Sequence, residues 1–270
     1  MDKKVFDKFR SLVFDTCGIY LTEQKEALVT ARISKRMRAL DVGDHEQYLR
    51  IVMDDRTGSE LGELINAIST NVTHFFRESR HFDFLAAQLG QHAQNGKRQI
   101  RIWCAACSSG EEPYTIAMTA LEAMAQSKAG SMELKIVASD ISTKVLQVAK
   151  FGVYRDQDVQ GVPEPLLRRY FQKGVGRAAQ LYRVKQSLRD LVSFKQINLS
   201  TPPYPVEGGL DAIFCRNVMI YFNHDLRRVL VHHFEQMLRP GGHLFVGLAE
   251  SLTGIHKNLK TVEPSVYRKG

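Results

Sequence analysis

The most constraining stretch of this chain is residues 101–114, Arg-Ile-Trp-Cys-Ala-Ala-Cys-Ser-Ser-Gly-Glu-Glu-Pro-Tyr. It predicts a buried strand over 100–105, a tight turn of small residues ending at Gly110, and a helix opening at Glu111 to Pro113. Proline suits a first helical turn because its missing N–H is not needed there. Glu111 and Glu112 complement the positive helix end. A strand, turn and helix in this order place backbone N–H groups and carboxylates at the C-terminal edge of a parallel sheet, where α/β folds bind ligands.

A second strand is expected over Leu134 to Ser139, with Asp140 at its end. An acid there accepts hydrogen bonds from the ribose of a nucleoside, although Asp is also a common helix N-cap. The turn departs from G-x-G-x-x-G, keeping only Gly110, and its carboxylates would repel a pyrophosphate. A ribose-bearing ligand with positive charge fits better, and S-adenosylmethionine, with its ammonium and sulfonium, is one.

From residue 99 onward strands and helices alternate, which implies a mainly parallel sheet covered by helices on both faces. The expected helices are 112–127 and 142–150, and later strands fall at 192–197, 210–215, 243–248 and 262–268. Residues 152–191 break the rhythm with four glycines and two prolines. They read as an inserted antiparallel β-subdomain with a helix near 164–171 and a hairpin near 170–194. Residues 1–80 read as a small all-helical domain, and 81–98 as a linker helix and polar loop. Within the helical part, Val5, Phe6, Phe9, Leu12 and Val13 recur at helical spacing up to Gly18. A second amphipathic helix spans Glu23 to Leu40. Val29, Ile33, Met37 and Leu40 lie on one face, and Arg32, Lys35, Arg36 and Arg38 lie round the other.

At 44% hydrophobic and 24% charged residues the chain is ordinary for a soluble globular protein. No run approaches the roughly 20 apolar residues of a membrane span, and the first residues lack the apolar core of a secretory signal. A cytoplasmic location without membrane insertion is therefore expected. The net charge of +8 favours an acidic partner, but no basic–aromatic module points to nucleic acid. Cys104 lies inside a strand, and no second Cys/His pair accompanies Cys107, so neither a redox motif nor a metal site is expected.

Two further segments carry a resemblance. They are Thr70-Asn71-Val72-Thr73-His74-Phe75-Phe76-Arg77-Glu78, and Ile213 to Phe222 with its Arg216-Asn217 turn. With Trp103 to Met118, Asp140, Asn198-Leu199 and Leu238 to Gly242, the chain closely resembles the CheR family of chemotaxis-receptor glutamate O-methyltransferases. The resemblance covers nearly all of it. It implies a class I, Rossmann-like methyltransferase domain and S-adenosylmethionine as cofactor, leaving S-adenosylhomocysteine. The cytoplasmic helical domains of chemoreceptors are the implied partners.

By resemblance, Asn71 and Thr73 approach the cofactor and Arg77 lies beside the reacting carboxylate. A capped helix starting at Asn71 or Thr73 is the structural alternative. Glu111 faces the methionine end of the cofactor and Asn198-Leu199 lie on the adenine. Arg216 and Asn217 sit at a ligand-facing strand end, and the Tyr221 hydroxyl lies near the transferred methyl. Arg77 and Tyr221 are thus the expected catalytic pair. Arg32, Arg36 and Arg38 are the expected receptor-docking face, against the alternative of a solvated basic surface. In part of the family the small sheet takes up a receptor C-terminal peptide as an added strand. Tyr182 to Lys185 alternates as an edge strand should, although a hairpin that only braces the domains reads equally well. The rivals to this reading are an RNA or small-molecule methyltransferase on the same fold, and a non-catalytic cofactor-sensing module.

Overall fold

A computed structural model describes residues 1–127 and 132–270. Helices α1 (Lys3–Cys17), α2 (Glu26–Ala39), α3 (His45–Asp54) and α4 (Ser59–Ile68) form the N-terminal domain. The Asp2 carboxylate accepts from the Lys4 amide at 2.9 Å and starts α1, and Gly18, at φ 73°, ends it. The 3.6-residue period buries Phe6, Phe9 and Val13 of α1 against Val29, Ile33 and Met37 of α2, with Tyr48 and Leu64 from α3 and α4.

Helix α5 (Arg80–Gln94) joins this domain to the sheet. It is longer than the expected linker helix, running into the polar stretch before Gly96. The capped-helix alternative for Asn71 and Thr73 is not what forms. The helix begins only after Ser79, and the segment before it is irregular, with Phe76 and Glu78 both in the left-handed region at φ 57° and 55°. Non-glycine residues held there cost free energy that neighbouring contacts must offset, and such strain gathers at functional sites.

Strand β1 (Gln99–Cys104), helix α6 (Glu111–Gln126), strand β2 (Glu133–Asp140) and helix α7 (Thr143–Phe151) form the first unit of the sheet domain. The insertion follows as β3 (Val153–Arg155), α8 (Glu164–Tyr170), β4 (Phe171–Lys173), β5 (Leu181–Val184) and α9 (Gln186–Arg189). Strands β6 (Val192–Gln196) and β7 (Leu210–Cys215), helix α10 (His224–Met237), and strands β8 (Leu238–Val246), β9 (Leu259–Glu263) and β10 (Val266–Lys269) complete the chain.

The main sheet has the order β6-β2-β1-β7-β8-β10-β9, parallel through β8 and antiparallel at β10 and β9. The expected single strand over 262–268 is a hairpin. Pro264 interrupts it and Ser265 turns at φ 62°. Strand order reverses between β1 and β7, which opens a crevice at their C-terminal ends.

The three-stranded insert has the order β3-β5-β4. Its β5 is therefore central, not the edge strand that the alternation of Tyr182 to Lys185 suggests. Alternation reports one buried face, which a central and an edge strand of a half-exposed sheet share. Tyr154, Phe171 and Val184 of the insert pack into the main core. Arg169 and Tyr170 both hold Glu122 of α6 at 2.6 Å. Among the described residues no helix is long and apolar enough to cross a membrane.

Candidate active site

The crevice between the helical domain and the sheet encloses a cavity of about 420 Å³. That lies in the range of small-molecule sites. Its floor is the C-terminal edge of β1, β2, β6 and β7, through Ala105, Ser108, Asp140, Asn198, Leu199, Arg216 and Asn217. Its opposite wall comes from the helical domain and the 70–79 segment, through Lys25, Leu28, Arg32, Asn71, Thr73 and Arg77.

Local chemistry explains the floor. Gly110 sits at φ 100° in the turn after β1, where a Cβ would lie 2.8 Å from both the Ala149 Cβ and the Tyr154 hydroxyl. Only glycine lets α6 start that close to α7. The Ser108 amide then donates to Asp140 Oδ2 at 2.9 Å and the Ser142 amide to Oδ1 at 3.0 Å. A carboxylate has about four acceptor sites, so Asp140 can take further donors beside these two amides. Burial raises the Asp140 pKa, opposed by these amides. A buried acceptor pair of this kind fits the two hydroxyls of a ribose.

Beneath it lies an ion-pair cluster that the sequence reading did not anticipate. The Arg216 side chain has 0% exposure and holds Glu112 at 2.8 Å and Glu78 at 3.0 Å. It also donates to the Arg77 carbonyl. Burial raises the Glu112 pKa, with Arg216 opposing. For Glu78 burial also opposes ionisation, but Arg216 and the Asn217 amide outweigh it and leave the pKa below the ordinary value. Arg216 is expected at a ligand-facing strand end. The residue lines the cavity, but its guanidinium is committed to two carboxylates. Asn217, at φ 58°, is held from two sides, its Nδ2 on Glu78 at 3.2 Å and its amide on Glu250 at 2.8 Å. Glu250 also accepts the Gly247 amide at 2.6 Å and the Ile220 amide at 3.2 Å, which fixes the turn leading to Tyr221.

Other expected residues part company. Glu111 does not line the cavity; Glu112 does. The Ser109 hydroxyl donates to the Glu111 carboxylate at 2.7 Å and holds it over the turn, and burial raises its pKa. The Asn198 side chain is occupied as well, donating to the Thr16 carbonyl at 2.7 Å and accepting from Ser200 at 2.8 Å. What that turn presents to the cavity is therefore backbone and the Leu199 side chain.

The basic face of α2 is also divided. Arg32 lines the cavity and donates to the carbonyls of Ile68 at 2.5 Å and Ser69 at 3.3 Å, at the unsatisfied C-terminal end of α4. Arg36 makes a two-pronged pair with Glu60, at 2.8 and 2.6 Å, which the Tyr48 hydroxyl joins at 2.8 Å. Arg38 is exposed, and among the described residues it has no ion-pair partner.

Arg77 and Tyr221, the expected catalytic pair, are both half-buried and both line the cavity. Arg77 donates to the Val72 carbonyl at 3.0 Å and, among the described residues, has no carboxylate partner. The Lys25 ammonium lies 4.9 Å from the centre of the Tyr221 ring. Lys25, Glu78 and Glu250 escaped the sequence reading. Glu78 had a signal in its place beside Arg77, whereas no local pattern marks the other two.

A cavity with a buried carboxylate on its floor and, among the described residues, an arginine without a carboxylate partner at its wall agrees with what related sequences are. Residues 4–69 match the family model described as the CheR methyltransferase all-alpha domain, and residues 71–268 match that of the CheR methyltransferase SAM binding domain. The chain is 42% identical over 264 residues to chemotaxis protein methyltransferase 2 of Pseudomonas aeruginosa, covering 97% of this chain and 91% of that one. It is 37% identical over 262 residues to the chemotaxis protein methyltransferase of Escherichia coli, covering 97% and 89%. It is 36% identical over 272 residues to that of Borreliella burgdorferi, covering 99% and 94%. The two matched segments coincide with the helical domain and with the sheet domain including its insert, and the chain belongs to the CheR family of S-adenosylmethionine-dependent methyltransferases.

Proposed function

We propose that this enzyme methylates glutamate side chains of chemotaxis receptors, giving glutamate methyl esters, and that Arg77 and Tyr221 orient the reacting carboxylate. The observation that supports it most is the cavity itself, with a buried Asp140 on its floor and at its wall an Arg77 that has no carboxylate partner among the described residues. Asp140 would hold the ribose. The small residues Ala105 and Ala106 leave room for the methionine end, and Leu199 supplies an apolar face for the adenine.

A glutamate carboxylate has an ordinary pKa near 4.3, so it is already a nucleophile at neutral pH and needs no general base. When bound, the cofactor supplies a methyl on a sulfonium, which the carboxylate oxygen takes while the C–S electron pair stays on sulfur and no proton moves. The protein's share is alignment and exclusion of water. Arg77 and Tyr221 would fix the carboxylate, and the strained 76–78 turn, tied down by Arg216, keeps Arg77 at the wall. An RNA substrate is less well supported. With Arg32 and Arg36 committed, Lys35 and Arg38 are the cations α2 leaves to solvent, few for tracking phosphates.

The partners we infer are the cytoplasmic helical domains of receptors. A receptor C-terminal peptide that joined the small sheet would have to add to the outer edge of β3 or β4, since β5 is paired on both sides. Transfer from labelled S-adenosylmethionine to receptors with and without their C-terminal tail, and to RNA, tests this. Base-labile label on both receptor forms supports the reading, a higher KM for the tailless form supports the tether, and label on RNA alone sinks both.

A further inference from the structure

From the geometry of the cavity wall we infer that Lys25, and not Arg77 alone, receives the substrate carboxylate. This rests on the proposed glutamate chemistry and deepens it. The filled cavity takes in two carboxylates, that of the cofactor's methionine portion and that of the glutamate. The cation of the floor, Arg216, is already neutralised by Glu112 and Glu78, and Arg32 is occupied by the carbonyls at the end of α4. Two cavity cations then remain without a carboxylate among the described residues, Arg77 and Lys25.

The chemistry assigns the two. The guanidinium of Arg77 presents several donors in a fixed fork, so it can orient the substrate carboxylate from one side while its remaining donors meet the cofactor carboxylate. An ammonium is a compact charge that can bind one oxygen and leave the lone pairs of the other for the methyl carbon. Lys25 is also placed before any substrate arrives, its ammonium resting 4.9 Å from the centre of the Tyr221 ring. A cation over that face is held by the ring's quadrupole. The same charge discriminates by state, since a glutamate pairs with it while a methyl ester or a glutamine cannot.

The test is steady-state methylation of a soluble receptor fragment by wild type, Lys25→Met and Lys25→Arg. It is paired with inhibition by fragments carrying glutamate or glutamine at the methylation site, and with calorimetric titration of S-adenosylhomocysteine. Losing one charge-assisted contact predicts a KM raised about tenfold in Lys25→Met and largely restored in Lys25→Arg. The preference of wild type for the glutamate fragment over the glutamine fragment should shrink by the same factor, with affinity for S-adenosylhomocysteine unchanged. A Lys25→Met enzyme with wild-type KM and wild-type charge preference overturns the inference alone. Loss of S-adenosylhomocysteine binding in both variants makes Lys25 a strut and overturns it too. Absence of methylation of the fragment by the wild type overturns the glutamate reading beneath it.

Discussion

The floor and the opposite wall of the cavity are built on opposite plans. On the floor the charged side chains are committed within the protein, Asp140 to two backbone amides and Arg216 to two carboxylates, and Glu250 braces Asn217 by accepting three amides. Among the described residues the wall keeps Arg77 and Lys25 without carboxylate partners, and apolar side chains stand out at its rim, Val72 at 77% and Leu28 at 48% exposure. A floor of satisfied groups is fixed before binding and suits a ligand that is always the same. A wall with free charge and apolar surface suits a protein partner that comes and goes. On the function proposed above, the floor would serve mainly the cofactor and the rim of the wall the receptor.

The largest effect should come from breaking the floor at Arg216. Arg216→Met removes the cation between two buried carboxylates, and stranding buried charge costs about 3–5 kcal/mol. Urea denaturation should show a loss of this size together with weakened cofactor binding. A stability within 1 kcal/mol (about the spread of a surface substitution) would mean the cluster is not what holds the floor.

Next in size is Asp140→Ala, which removes acceptors from the floor without touching the wall. Hydrogen bonds to a charged group are worth roughly 1.5–3 kcal/mol, so affinity for S-adenosylhomocysteine should fall about tenfold or more. KM for the receptor should stay put. An unchanged calorimetric affinity in a folded variant would take Asp140 out of the site.

The smallest effects sharpen the contrast on α2. Arg36→Glu should cost the helical domain about 1 kcal/mol or more, because the partly buried pair with Glu60 and Tyr48 is lost and two acids are placed together. Arg38→Glu should leave the melting temperature nearly unchanged, yet raise the receptor KM and flatten its dependence on ionic strength. Thermal melts and transfer kinetics across salt concentrations separate the two. Identical behaviour of both variants would return α2 to a single undivided basic face.

The sequence by itself determined the strand–turn–helix at Cys104 to Pro113, the second strand ending in Asp140, the helical domain and the position of the insert. Each follows from short-range rules: apolar period, glycine at a left-handed turn, proline in a first helical turn. The motif block also placed Arg77 and Tyr221 at the cavity. Only the tertiary structure decided which charges are free. Arg36 finds Glu60 at 24 residues' separation, and Arg216 finds Glu112 and Glu78 at 104 and 138. It also decided that β5 is central and that Glu112, not Glu111, faces the cavity. The physical reason is one of range. Local conformation is set by neighbours within about a helical turn, whereas the partner of a charge is set by whichever distant segment the fold brings within hydrogen-bond distance.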